Sequence, residues 1–243
     1  MKIESVLKEI RDNQRRATMI PHTRPDGTIV RFPAAKRGNA TYAWRTEPLI
    51  SAYREGILHE ILDTSLMFIT LTVPYDKTFE GCKVSWLAVH KALGPFIKKL
   101  KTMGAKKYIA VLEATGEGGC HVHLLVRWKT IILTVTKKER YYPADREFSR
   151  KVWDSWVFEW GKVSPKTLQK NAVHIQICPN NSENQNIIGY VTKWIGKGSD
   201  IETALYNAEQ GIANKNDISR LFTNYWAFKL RIRLYRISRG VIK

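Results

Sequence analysis

Two β-prone runs either side of a glycine-rich turn constrain this chain more than any other feature. Tyr108 to Ala114 and His121 to Trp128 are rich in aliphatic and aromatic residues, and Thr115 to Gly119 between them carries three glycines. The pattern predicts an antiparallel hairpin. Side chains alternate along a strand, so His121 and His123 project from one face while Val122 projects from the other. Ile109, Val111 and Glu113 likewise share a face, and a short turn brings Glu113 close to His121. Glu113, His121 and His123 are therefore candidate metal ligands on one sheet face. Two imidazoles and a carboxylate suit a catalytic divalent ion with open positions. Glu117, inside the turn, is the competing acid. Glu113 is preferred because a strand fixes its direction and a glycine-rich loop does not.

The flanking segments extend the pattern. Leu66 to Val73 is a β-prone run ended by Pro74. Val84 to Thr102 has helical apolar spacing at Leu87, Leu93, Ile97 and Leu100, with a kink expected at Gly94-Pro95. Residues 145–160 read as a helix carrying Phe148, Val152, Trp153, Trp156 and Trp160, and Ala172 to Cys178 as a strand. The order strand, helix, strand, strand, helix, strand is the ferredoxin-like one. A further strand over Lys229 to Ile237 would be a fifth. The expected class is α+β: a ferredoxin-like antiparallel sheet of about five strands, with helices packed mainly on one face. Before it, residues 1–62 read as an N-terminal extension: a helix over 1–17, a short strand from Ile29 to Phe32, an irregular basic stretch, and a helix from Glu47 to Asp63. The main domain is then 63–243.

Composition points to the partner. Lys and Arg number 40 against 22 Asp and Glu, a formal net charge of +18 that favours a polyanion, nucleic acid first. Eight tryptophans and ten tyrosines amid that charge suit the stacking surfaces of single-stranded nucleic-acid sites, although most should be core. No apolar run is long enough for a transmembrane helix, and no membrane partner is expected. Cys82, Cys120 and Cys178 show neither disulfide nor zinc spacing, so a reduced, cytoplasmic setting is expected.

A last helix, Ser182 to Ile195, closes at Gly196 and Gly198. Ile187, Ile188, Val191, Trp194 and Ile195 form its apolar arc. Asn186, Tyr190, Lys193 and Lys197 form a neighbouring arc directed outward. Residues three apart on a helix are neighbours, so the Lys193 ammonium can sit beside the Tyr190 phenol or the phosphate it attacks. A phenol, with a reference pKa of about 10, needs such help to act as a nucleophile at neutral pH.

Together these residues resemble the HUH endonuclease superfamily of replication initiators and relaxases. Phe68-Ile69-Thr70-Leu71-Thr72 is similar to its first-strand motif, His121-Val122-His123 to its His-hydrophobic-His motif, and Tyr190-Val191-Thr192-Lys193 to its nucleophile helix. The match covers roughly residues 65 to 240. The resemblance implies that Tyr190 attacks a phosphodiester of single-stranded DNA, leaving a 5′-phosphotyrosine link and a free 3′-hydroxyl, with Lys193 assisting. It implies Mg²⁺ or Mn²⁺ at Glu113, His121 and His123. The reverse attack would rejoin strands without ATP. Trp194 stands four residues after Tyr190, which makes this a single-tyrosine type, and no Walker motif marks a fused helicase.

The implied task is initiation of rolling-circle-type replication of a small plasmid or virus at a stem-loop origin, with host replication proteins as partners. Single-tyrosine transposases and relaxases share the chemistry. A non-catalytic RNA-binding module is the rival from another class, and it leaves His121, His123 and Tyr190 unexplained. Lys197, Arg231, Arg233, Arg236 and Arg239 are the candidate DNA-binding cations, the last four on a tail free of acids. The sequence does not choose an oligomeric state.

Overall fold

A glycine turn and one helix set the register from which the sheet is built. The computed structural model describes residues 3–15, 19–23, 29–33, 65–137, 140–161, 172–178 and 201–238. Its elements in chain order are α1 (Ile3–Arg15), β1 (Met19–Thr23), β2 (Ile29–Pro33), β3 (Leu66–Thr72), α2 (Phe79–Thr102), β4 (Ala105–Ala114), β5 (Cys120–Trp128), β6 (Thr134–Lys137), β7 (Arg140–Pro143), α3 (Arg146–Gly161), β8 (Val173–Cys178), α4 (Ile201–Glu209), α5 (Lys215–Leu230) and β9 (Tyr235–Ile237). Between β4 and β5 the chain reverses through Gly118, at φ 94°, where a side chain would be strained. Thr115 N donates to Gly119 O at 2.7 Å and Gly118 N to Thr115 O at 2.9 Å. From α2, Trp86 Nε1 donates to Gly118 O at 3.0 Å, and Ser85 Oγ accepts from Cys120 N at 2.9 Å. A Cβ on Gly119 would collide with the Tyr75 ring.

The main sheet has the order β6-β7-β8-β3-β5-β4-β9, every pairing antiparallel. Its centre, β8-β3-β5-β4, is the ferredoxin-like arrangement expected from the element order. Apolar residues of β3, β4 and β5, such as Met67, Ile69, Leu71, Ala110, Leu112, Val122, Leu124 and Val126, turn to one face. They are buried there in one core with Trp86, Val89, Leu93 and Phe96 of α2 and Val152, Trp156 and Trp160 of α3. Burying a side chain of this size against water is worth about 1.5–3 kcal/mol, so this layer dominates stability. α2 begins at Phe79 rather than Val84, because Thr78 caps it by accepting from Gly81 N at 3.0 Å. It runs on through Pro95 to Thr102.

Two features lie outside the expected plan. The β6–β7 hairpin joins β8 through Tyr141 opposite Ile177, and with β9 it widens the sheet to seven strands among the described residues. The strand expected over Lys229 to Ile237 is shorter, because Lys229 and Leu230 end α5 and only Tyr235–Ile237 pairs with β4. α5 is started by a capping box of Asn214 and Asp217 and ended by Arg231 in the left-handed conformation, at φ 54°. Its buried residues Leu221, Phe222, Tyr225 and Trp226 hold the helix to its last turn.

At the N-terminal end, α1 packs on α5, with Val6 and Ile10 in the common core. Glu9 meets Lys229 at 2.6 Å, and Arg11 meets Glu202 and Glu209, each at 2.9 Å. β1 and β2 form a separate two-stranded sheet, which covers the expected Ile29 to Phe32 strand. The helices expected over Glu47 to Asp63 and Ser182 to Ile195 lie outside the described residues.

β9 is fastened by Arg236, whose Nη2 donates to His90 O at 3.1 Å and lies 3.3 Å from His90 Nδ1. Partial burial, and then the Arg236 charge, hold His90 below the ordinary imidazole value. A depressed imidazole stabilises the fold in its neutral form. That contribution is therefore complete above the unfolded value of about 6.5 and is lost as pH falls through the lower folded value. Hydrogen exchange at the Ser238 amide, which donates to Tyr108 O, should quicken on acidification below that range. In His90→Gln the acid-dependent part should disappear.

Candidate metal centre

The hairpin register decides which acid joins the histidines. Glu113 is paired with His121, and β3 places Thr70 opposite His123 and Thr72 opposite His121. Alternation then puts Glu113, His121, His123 and Thr70 on the face turned away from the α2–α3 core. The Nε2 atoms of His121 and His123 each lie 3.3 Å from the same oxygen, Glu113 Oε2. One ligand atom from each of the three residues falls within 4.8 Å of the others. A shared ion about 2.0–2.1 Å from each donor sets the donors about 3.0–3.4 Å apart, depending on the angle, so the spacing fits one cation. The donor set of two nitrogens and a carboxylate leaves further positions for oxygen ligands.

Neighbouring side chains restrict each ligand. Thr70 Oγ1 is 3.2 Å from His123 Nδ1, and the Phe68 ring stacks on His123 with centroids 5.4 Å apart and planes at 11°. With Nε2 turned to Glu113, the hydroxyl of Thr70 occupies the other ring nitrogen and fixes the imidazole plane. Ser219 of α5 donates to Glu113 Oε1 at 2.8 Å. Glu113 and His123 are buried, at 4% and 5% exposure, whereas the His121 side chain is 22% exposed. Solvent and a phosphate therefore approach along the His121 edge. On the opposite face Cys120 is wholly buried. Burial, and second the Glu113 charge, push its thiol well above the ordinary value, so it stays protonated and is no rival ligand.

The competing acid goes elsewhere. Glu117 is exposed on the turn and its Oε1 pairs with Lys77 Nζ. Of the remaining residues singled out by sequence, Arg231 and Arg233 are exposed beyond α5. Arg236 is opposite Ala110, so it sits on the helix-covered face and is engaged by His90. Tyr190, Lys193, Lys197 and Arg239 lie outside the described residues. Sequence reasoning misses Ser219, and Thr70 enters it only as part of a strand motif. Thr70 can be found from the pairing of β3 with β5; Ser219 carries no local signal.

Residues 66–199 match the family model of replication-associated proteins named for ORF2 and the gene II protein, and the chain belongs to that family. Neither a curated protein nor a solved structure matches it. Membership implies a part in the initiation of replication and hence an interaction with DNA. The α+β fold and the Glu-His-His group accord with the HUH-type resemblance drawn from the motifs. No helix among the described residues is long and apolar enough to cross a membrane.

The choice between the two acids has a direct check. By calorimetric titration with Mn²⁺, Glu117→Ala should bind as the unaltered protein does. Glu113→Ala should lose at least tenfold in affinity, since one of three ligands is gone.

Proposed function

We propose that this member of the family nicks and rejoins single-stranded DNA at a replication origin, using Tyr190 as nucleophile. The observation that carries the reading is the Glu113, His121 and His123 group, which shares the family-matched segment with Tyr190-Val191-Thr192-Lys193. Those three residues would hold Mg²⁺ or Mn²⁺, which when bound supplies Lewis-acid polarisation of the scissile phosphate.

The chain's own residues do the rest. The Tyr190 oxygen attacks phosphorus and gives up its proton. The bond from phosphorus to the 3′-oxygen breaks, that oxygen takes up a proton, and the 5′-phosphate stays on the tyrosine. Lys193, three residues further along a helix, places its ammonium beside the developing charge. The reverse attack by a 3′-hydroxyl restores a phosphodiester and frees Tyr190, so energy is conserved in the protein–DNA bond. The His121 edge, the more exposed side of the group, is where the phosphate enters. Arg231 and Arg233, together with Lys197 and Arg239, supply backbone contacts that strengthen binding without reading sequence. Arg236 is better placed to brace β9 than to meet DNA on the metal face. A stem-loop origin of a small plasmid or virus, with host replication proteins extending the free 3′ end, completes the proposed cycle.

The test uses the full chain, Mn²⁺ and a labelled single-stranded oligonucleotide carrying the stem-loop that flanks the gene. A DNA–protein adduct should survive denaturing electrophoresis, and Tyr190→Phe should abolish it. An undiminished adduct in that variant would remove Tyr190 from the role. Because both imidazoles must be neutral to coordinate, adduct formation and Mn²⁺ binding should weaken together on acidification.

A further inference from the structure

We infer that Ser219 is a positioning residue of the metal centre, its hydroxyl holding the Glu113 carboxylate so that Oε2 faces both histidines. The inference rests on the metal-binding reading above and assigns a role to a residue beyond the family-matched segment 66–199. Ser219 is buried at 6% exposure, and its Oγ lies 2.8 Å from Glu113 Oε1, the oxygen that does not meet the histidine nitrogens. A carboxylate gripped at one oxygen cannot swing the other away from the ion without losing a buried hydrogen bond.

The hydroxyl has one proton and two acceptors within reach, for Ala114 O is 2.7 Å away. A charged acceptor draws the stronger bond, which favours Glu113. The helix that carries Ser219 is itself held in place. Thr223 Oγ1 accepts from Ala114 N at 2.8 Å, and Asp217 Oδ2 accepts from Asn207 Nδ2 of α4 at 3.0 Å. α1 ties down the far end through Glu9 and Lys229. The site thus joins a ligand from a β-hairpin to a brace more than 100 residues later, |i−j| being 106.

The experiment is calorimetric titration of the full chain with Mn²⁺, alongside thermal melting in a chelator. Ser219→Ala should weaken Mn²⁺ binding by about 10–100-fold, the usual effect of removing such a partner. Ser219→Thr, which keeps the hydroxyl, should bind within a few-fold of the unaltered protein. Ser219→Cys keeps the volume with a weak donor and should behave as Ser219→Ala, which serves if the alanine variant does not fold. Unchanged affinity with a lowered melting temperature would assign the hydroxyl to Ala114 O as a fastening of α5 and overturn the inference. Failure of Ser219→Thr to restore affinity would assign the effect to packing and overturn it equally. If the unaltered protein bound no Mn²⁺, the metal reading itself would fall, and this inference with it.

Discussion

The register of β4 against β5 is the constraint on which the rest of the molecule depends. Side-chain direction in a strand has a period of two, so a slip of one residue would turn Glu113 into the core and lift Ala114 or Leu112 onto the metal face. Such a slip is opposed at several points. Gly118 supplies a backbone conformation that other residues adopt only with strain, and Gly119 leaves room for the Tyr75 ring. Trp86 and Ser85 on α2 grip the backbone of the turn. The buried aliphatic face makes the wrong register costly along its whole length, because every apolar side chain would exchange places with a polar one.

The same layer explains how a site of this kind stays ordered. One face of the sheet is packed against α2 and α3, leaving little freedom for the backbone under His121 and His123. On the other face, Phe68, Thr70 and Ser219 each restrict a ligand by a different means: a stacked ring, a hydrogen bond to a ring nitrogen, and a hydrogen bond to a carboxylate oxygen. Preorganisation comes from strands and helices rather than from loops, which makes the ligand geometry a property of the fold.

What is legible in the sequence follows the range of the interactions. The four central strands and the helices α2 and α3 can be read because their apolar residues recur with local periods. Glu113 can be preferred over Glu117 because a strand has a direction and a short hairpin has a register. The β6–β7 hairpin escapes such a reading: its Thr-Val-Thr-Lys strand is exposed throughout and carries almost no hydrophobic signal. The Lys229 to Ile237 strand reads too long because alternating arginines look like a strand whether or not a helix ends among them. The stop is Arg231 in a left-handed conformation, where a glycine would have announced it. Ser219 is beyond reach for another reason. A lone serine has no pattern, and its partner is fixed only by packing a whole helix onto the end of β4.

The docking of α1 on α5 carries a consequence for how the molecule is made. The first helix off the ribosome has apolar residues, Val6 and Ile10, whose cover belongs to nearly the last helix, and Glu9 waits for a lysine 220 positions downstream. Until that helix emerges, a greasy stripe stays in water and the longest loop in the chain stays unclosed. Chains cut short before residue 215 would keep the hairpin that presents the two histidines. They would also expose the stripe, so quality control by chaperone or protease could discard unfinished copies by recognising their N-terminal ends.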